Sequence, residues 1–143
     1  MEEFSGLFKK MCKTAELIQR KWEPEEWDSY CEKGDCDDGF VKDVHLNMIS
    51  KEDLKKNYIW LPKHYEIRER LFPMFAGGAV KIIESIEKQF SEFIKDNIEQ
   101  VQSHFSEKPD NIMNVLAVLF VMECRSPKVW NFDTEEWTKT QNN

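Results

Sequence analysis

The sequence predicts a mostly helical α+β fold, and three observations support this. Apolar residues recur at three- and four-residue steps from Phe4 to Trp22 and, over roughly seven turns, from Val80 to Phe105. Residues 111–125 are apolar almost all round, which is typical of a helix at the centre of a core. Between these runs, turn residues separate two short stretches that can alternate as strands. We therefore expect about four or five helices packed with a small antiparallel β element.

Length and composition indicate a single domain that covers residues 1–143. Hydrophobic residues make up 41% of the chain and charged residues 33%, which is typical of a globular protein rather than a disordered one. The longest apolar run, residues 115–122, is far short of the ~20 residues that a membrane span needs. No basic stretch followed by an apolar one opens the chain, so we expect no secretory signal, and a cytoplasmic protein with reduced cysteines.

The first helix is expected to end near Glu23-Pro24 and to bury one apolar stripe. Its opposite face is charged and is expected to be solvated: Lys9, Lys10, Lys13, Glu16 and Arg20. The expected core brings this helix together with the later ones through Leu7, Met11, Ile18, Ile83, Phe90, Leu116, Leu119 and Phe120.

Further helix ends are marked by caps and prolines. Ser50 is expected to cap a short helix that runs through Lys56. The segment after Pro62 is expected to be a helix closed by Pro73, followed by a flexible junction at Gly77-Gly78. Pro109, with Asp110 as cap, is expected to start the last helix, and His104 is expected to be a surface residue.

The β element is predicted as a hairpin near residues 26–48 with a long acidic turn. The first run has residues at alternate positions that would share one face of a strand: Trp27, Ser29 and Cys31. The second run is supplied by Phe40, Val41, Val44, Leu46 and Met48. The hairpin is expected to be joined by residues 57–61 or by the tail, residues 128–137, whose Trp130 and Trp137 suit an extended strand.

The block Tyr-Ile-Trp-Leu-Pro, residues 58–62, is predicted to be extended. Consecutive side chains of a strand point to opposite faces, so Ile59 and Leu61 are expected to pack on the core. Trp60 is then expected to lie at a partly open groove on the other side, together with Tyr58.

Negative charge is concentrated in one segment, residues 25–43. The whole chain has a net charge of −7, and this segment holds eight acidic residues against Lys33 and Lys42. A nucleic-acid binder would carry the opposite sign on its working face, so no direct binding to DNA or RNA is expected. The predicted acidic interaction face consists of Glu25, Glu26, Asp28, Glu32, Asp35, Asp37, Asp38 and Asp43.

Motifs for catalysis and for metal binding are weak or missing in the sequence. The Asp-Cys-Asp-Asp-Gly stretch, residues 35–39, does not fit an EF-hand, because glycine comes fifth and Leu46 stands at the twelfth position. Cys31 and Cys36 have no second Cys/His pair at zinc-finger spacing. No Gly-rich phosphate loop, nucleophile elbow or His-Glu-x-x-His motif occurs. We therefore expect no cofactor and no enzymatic activity.

Three separated blocks carry a resemblance: residues 13–28, residues 51–71 with Tyr-Ile-Trp-Leu-Pro, and residues 116–137 with a Lys-x-Trp…Trp tail. In this order they resemble a family of small uncharacterised phage and prophage proteins, over about 60 of the 143 residues. The chain departs from that family in the middle helix, residues 79–105. The family has no assigned activity, so the resemblance implies a phage setting in the cytosol of the host cell and no catalytic residues.

Two functional hypotheses from different classes follow, with a structural phage protein lacking a discrete site as a third. The first is an accessory protein that binds a host or phage protein with a basic surface through the acidic face, in which Trp27, Tyr30 and Phe40 would add aromatic anchors, with a host-defence inhibitor as one instance. The second is a nucleotide-binding or nucleotide-sequestering protein. Association into a homo-oligomer would suit any of the three. The candidate groove of the second hypothesis offers aromatic rings for stacking and cations for phosphate: Tyr58, Trp60, Tyr65, Lys63, Arg68 and Arg70.

Overall fold

The computed structural model describes residues 4–33, 38–105 and 108–140, with the side chain of Asp110 outside the description. It confirms a mostly helical α+β fold. The helices are α1 Gly6–Thr14, α2 Glu16–Lys21, α3 Asp43–Met48, α4 Lys51–Asn57, α5 His64–Glu66, α6 Phe72–Phe75, α7 Val80–His104 and α8 Pro109–Arg125. The strands are β1 Ser29–Glu32, β2 Asp38–Phe40, β3 Tyr58–Trp60, β4 Lys128–Asn131 and β5 Glu136–Lys139.

The first predicted helix is two helices that meet at Ala15. Ser5 caps α1 by accepting a hydrogen bond from the Phe8 amide at 3.1 Å. At the break, the Cys12 carbonyl accepts from the Ala15 amide at 3.1 Å and from the Gln19 side chain at 3.1 Å, which compensates the interrupted helix ladder. The apolar stripe is buried as predicted, but the expectation that Lys9 is solvated is wrong, since its side chain is buried.

Three strands form an antiparallel sheet in the order β2-β1-β3. Tyr30 of β1 pairs with Gly39 of β2 and with Trp60 of β3, so the predicted hairpin is confirmed and residues 58–60 join it. Its second arm is shorter than predicted, because the chain turns at Lys42 into α3. The Lys42 amide donates to Nδ1 of His45 at 3.0 Å, and this bond starts a helix where Val44, Leu46 and Met48 were expected to continue the strand.

The tail forms a hairpin of its own rather than extending the first sheet. β4 and β5 pair antiparallel, with Trp130 directly opposite Trp137 and ring centres 5.1 Å apart. The indole of Trp137 donates to the Met11 carbonyl at 3.2 Å, which attaches this hairpin to α1.

The helical segment after Pro62 continues past Pro73, where it was expected to end. Residues Ile67–Leu71 form a π-helical turn, in which the Phe72 amide donates to the Ile67 carbonyl. An extra residue in the turn shifts the backbone ahead of Pro73, whose ring would clash with a carbonyl of a regular helix. The chain then leaves the helix through Gly77 and Gly78, both with positive φ (59° and 79°), a conformation that glycine adopts without strain.

The core lies around α8, whose residues 115–122 are all buried. Helix α7 packs along it through a cluster of phenylalanine rings, with Phe90 and Phe120 5.2 Å apart between centres. Six of the expected core residues are buried, and Leu7 and Ile83 pack against them partly exposed. Val80 is exposed and does not belong to the buried stripe of α7. His104 is exposed, as expected.

Among the described residues, no helix has the length and apolar character that crossing a membrane requires.

Candidate functional site

Segment 25–48 presents large apolar side chains to solvent. Trp27 is 65% exposed and Met48 is 78% exposed, both unusual for side chains of this size. Phe40 on β2 and Val44 on α3 are exposed as well, and Val44 and Met48 share a helix face because they are four residues apart. We refer to Trp27, Phe40, Val44 and Met48 as the apolar surface. The Trp27 amide bonds to Val41, which follows Phe40 in the chain, and contiguous exposed apolar residues are typical of interaction sites.

The backbone of Trp27 is strained and firmly held. Its φ is 72°, a left-handed value that costs a bulky residue about 1–2 kcal/mol. It occupies the third position of a β-turn closed by a 3.1 Å hydrogen bond from the Asp28 amide to the Glu25 carbonyl, where a positive φ ordinarily selects glycine. The Trp27 amide donates to the Val41 carbonyl at 2.6 Å, and the Val41 amide donates to the backbone carbonyl of Asp28 at 2.8 Å. The exposed ring is therefore carried by a fixed backbone.

Asp28 anchors this turn from inside the protein. Its Oδ2 accepts hydrogen bonds from the Trp22 indole at 2.9 Å, from the Glu25 amide at 2.9 Å and from Arg70 at 3.0 Å. Burial alone would raise the pKa of Asp28, but the hydrogen bonds from Arg70, Trp22 and Glu25 together lower it below its ordinary value. Asp28 is thus a buried structural carboxylate, and its predicted place on the acidic face is wrong.

Arg70 is the cation at the centre of a charge cluster that it forms with Glu25, Asp28 and Glu66. Its Nε donates to Glu25 at 2.7 Å, its Nη1 to Asp28 at 2.7 Å, and its Nη2 to the Glu23 carbonyl at 2.7 Å. The guanidinium also lies over the Trp60 ring, 4.9 Å from its centre. With its donors engaged in this way, Arg70 is a structural residue rather than a phosphate ligand.

Glu66 is the cluster's titratable member near neutral pH. Its burial, with the Asp28 carboxylate nearby, raises the pKa of Glu66 to about 7, against the lowering effect of a hydrogen bond from the Lys63 amide at 2.8 Å. Arg70 lies 3.4 Å from its other oxygen. The cluster therefore gains negative charge as the pH rises through 7.

The remaining acidic residues divide into paired and free ones. Asp38 forms an ion pair with the buried ammonium of Lys9. Within residues 4–33, 38–105 and 108–140, Glu26, Glu32 and Asp43 take part in no ion pair. Asp35 and Asp37 lie outside the described residues. The acidic face therefore contains fewer unpaired carboxylates than predicted.

The residues of the predicted aromatic and basic groove do not form one. Trp60 is 1% exposed and stacks on Trp22 with ring centres 6.2 Å apart, so its expected position at an open groove is wrong. Ile59 and Leu61 are buried as predicted. The strand places Tyr58 half-buried against Tyr30, while Tyr65 is exposed on α5. Arg68 pairs with Glu87 at 2.9 Å, and Lys63 precedes α5 with a half-buried side chain.

Cysteine and metal chemistry find little support in the described parts of the chain. There, no three His, Cys, Asp or Glu side chains are placed to hold a metal ion. Burial, reinforced by the neighbouring Cys31, raises the pKa of Cys12 well above its ordinary value and keeps that thiol protonated. Cys36, the second cysteine of the weak Cys31 and Cys36 motif, lies outside the described residues.

Two members of the apolar surface, Val44 and Met48, were not predicted as site residues. Their alternation with polar residues fits a strand as well as a helix, and the strand interpretation assigned them to the sheet. Their spacing of four residues was the available signal for a shared helix face.

Comparison with protein-family models, with curated proteins and with solved structures finds no match to this chain. The relation to small phage proteins therefore stays a prediction that rests on the three sequence blocks.

Proposed function

We propose that the protein acts by binding another protein through the apolar surface and the carboxylates beside it. The observation that carries this proposal is Trp27, which combines an exposed ring with a strained, hydrogen-bonded backbone. Exposing an indole to water and holding a left-handed φ are both unfavourable in the isolated chain. A partner that buries the ring explains why the fold maintains both features.

Trp27 has the properties of a binding hot spot. Tryptophan is enriched among residues that dominate interface energies, and it loses little side-chain entropy on binding. Its turn is fixed by Asp28 and by the pairing with Val41, so the backbone that carries the ring is already in place before a partner arrives. Preorganisation of this kind reduces the free-energy cost of association.

The charges around the apolar surface favour a basic partner. Glu26 and Asp43 are exposed and lack ion-pair partners among the described residues, and Glu25 keeps an exposed oxygen beside Arg70. Complementary charges at the edge of an interface mainly raise the association rate and make it depend on salt. A protein whose basic surface ordinarily meets nucleic acid fits this arrangement.

The phage setting, the host cytosol and the inhibition of a host-defence protein are finer proposals of the same class. They rest on the three blocks that resemble phage proteins and on the acidic character of residues 25–43. A homo-oligomer would be compatible with the same surface, because an exposed apolar patch can also bind its own copy.

The experiment is affinity capture from cells that encode the protein, followed by binding kinetics with the captured partner. Trp27→Ala should weaken binding by about 30-fold or more, as truncation of an aromatic hot spot does. Tyr65→Ala is the matched control, since Tyr65 is an exposed aromatic residue outside segment 25–48. Wild-type affinity in Trp27→Ala, or an equal loss in Tyr65→Ala, would refute the proposed surface.

The charge contribution is tested separately. A double variant, Glu26→Gln with Asp43→Asn, should bind more slowly and show a weaker dependence of the association rate on salt, because exposed charges are screened beyond about 8–10 Å. Asp38 is unsuitable for this test, since its replacement would remove the carboxylate that pairs with the buried Lys9. If the association rate of the double variant equals that of wild type at every salt concentration, only the apolar residues contribute to binding, and the proposal of a basic partner is contradicted.

A further inference from the structure

A second surface carries the opposite charge. A cavity of about 420 Å³ opens between α1, α2, α4 and the edge of the first sheet. Four cations from separate parts of the chain line it: Lys13, Arg20, Lys33 and Lys55. In a chain with a net charge of −7, this concentration of positive charge is a local feature of the fold. Its volume lies within the range of small-molecule sites, about 300–1,000 Å³.

Backbone contacts hold two of the four cations in place. Lys13 donates to the carbonyl of Lys33 at 3.3 Å, and Lys55 donates to the carbonyl of Arg20 at 2.7 Å. Across the described parts of the chain, none of the four makes an ion pair with a carboxylate. With four cations and the carboxylate of Glu16, the lining carries an excess of positive charge, which favours a bound anion.

The wall of the cavity is rigid. The Gln19 side chain, which lines it, accepts from the Trp60 amide at 2.8 Å and donates to the Trp60 carbonyl at 2.9 Å. Ile59 on β3 supplies an apolar side chain to the same lining. Glu16 is a carboxylate in the same lining and can accept a hydrogen bond from a hydroxyl group.

We propose that this cavity binds a small molecule with two phosphate groups joined by a short hydroxylated carbon skeleton. The two phosphates would meet the four cations through charge-assisted hydrogen bonds. The skeleton would lie against Ile59 with a hydroxyl group on Glu16. This site differs from the proposed protein-binding surface in its residues, its charge and its ligand.

The first experiment locates the ligand without any substitution. Methyl-labelled wild-type protein is titrated with fructose 1,6-bisphosphate, with inorganic pyrophosphate and with inorganic phosphate, and the Ile59 methyl signals are followed by NMR. We expect saturable shifts with the sugar bisphosphate, weaker ones with pyrophosphate and the weakest with phosphate. Absence of any saturable shift at Ile59 up to millimolar concentrations would overturn the proposal.

The second experiment uses charge-matched variants. Arg20→Gln with Lys33→Gln removes two of the four cations, at exposed side chains that donate no described hydrogen bond. The control, Lys88→Gln with Lys95→Gln, makes the same charge change on the exposed side of α7. Calorimetry should show that affinity for the bisphosphate falls by about tenfold for each pocket cation removed, and stays near wild type in the control.

Two results of this comparison would refute the site. Equal losses in both double variants would show that the bisphosphate responds only to net charge. Binding of a single-stranded oligonucleotide, with no binding of either small phosphate compound, would identify a nucleic-acid surface instead. Cooperative thermal unfolding of each variant verifies that the fold is kept, and the Ile59 titration decides the question should a variant fail to fold.

Discussion

Arg70 and Asp28, 42 residues apart in the sequence, form a doubly hydrogen-bonded ion pair, with Nη1 2.7 Å from Oδ1 and Nη2 3.0 Å from Oδ2. The pair joins the π-helical turn to the β-turn that exposes Trp27. Bidentate geometry fixes direction as well as distance. The buried charge cluster therefore sets the position of the residue on which the proposed binding surface depends.

Removal of the Arg70 guanidinium should destabilise the protein strongly. Arg70→Ala leaves the Asp28 carboxylate buried with its hydrogen bonds from Trp22 and Glu25 only, and we expect a loss of about 3 kcal/mol in the free energy of unfolding. Arg68→Ala is the control, because its ion pair with Glu87 is more exposed and is worth at most about 1 kcal/mol. Urea denaturation measures both. A smaller loss for Arg70→Ala than for Arg68→Ala would contradict the structural role of the cluster.

Glu66 should make stability fall as the pH rises from about 4.5 to 7. Its pKa is raised in the folded state from an ordinary 4.5 to about 7, so the folded protein holds a proton that the unfolded chain releases earlier. The resulting stabilisation is fully present below pH 4.5 and is lost as the pH rises to 7. Glu66→Gln should remove this slope, with a gain over wild type on the order of 2 kcal/mol at pH 8.

The pH experiment compares urea denaturation of wild type, Glu66→Gln and Glu69→Gln between pH 5 and 8. Glu69 is an exposed carboxylate on the same helical segment, so its variant should keep the wild-type slope. Asp28 does not confound this window, because its lowered pKa affects stability only at acid pH, as that carboxylate becomes protonated. Parallel curves for wild type and Glu66→Gln would show that Glu66 is ionised throughout.

Elements with long, regular patterns were predictable from the sequence. The 25 residues of α7, the buried α8 and the cap at Ser50, which accepts from the Asp53 amide at 3.1 Å, follow from local periodicity and capping chemistry. The expected cap of α8 at Asp110 is wrong, because Lys108 occupies the N-cap position and Asp110 lies inside the helix. The tryptophan tail was predicted to be extended, and it is. Local signals decide these elements because their hydrogen-bond partners lie within a few residues.

Features that depend on distant partners were not predictable. Lys9 is buried because Asp38 meets it from another element, and Asp28 is buried because Arg70 does the same. Trp60 is covered by Trp22 and Arg70, neither of which is adjacent in the sequence. The basic cavity likewise collects single cations from four segments. Each of these arrangements follows from tertiary packing, which one sequence read by local pattern does not contain.

Core truncations on α8 should differ according to local packing. Leu116 is fully buried, whereas Leu119 borders a cavity of about 210 Å³ between α7, α8 and β4. We expect Leu116→Ala to cost about 4–5 kcal/mol and Leu119→Ala about 2–3 kcal/mol, because space beside Leu119 lets the site relax or hydrate. Ile82→Ala, at an exposed position of α7, should have little effect. Thermal and urea unfolding measure the order, and a larger loss for Leu119→Ala would place the core elsewhere.

The strain at Trp27 should appear as a reversal of the usual glycine effect. In ordinary positions glycine is less stable than alanine by about 0.5–1 kcal/mol, because it loses more backbone entropy on folding. At φ 72° the order should invert, with Trp27→Gly about 1 kcal/mol more stable than Trp27→Ala, since only glycine adopts this conformation without strain. The comparison is clean because both variants lack the ring. Lys88→Gly against Lys88→Ala, within α7, supplies the ordinary order as a control.

Binding measurements on the same two Trp27 variants separate stability from function. If the ring is the anchor of the proposed interface, both variants should lose the partner to the same extent although they differ in stability. Should Trp27→Gly fold better yet bind worse than wild type, the strained turn is maintained for the interaction and not for the fold. Should Trp27→Gly keep wild-type affinity, the backbone of the turn and the neighbouring carboxylates, rather than the indole, would be what the partner recognises.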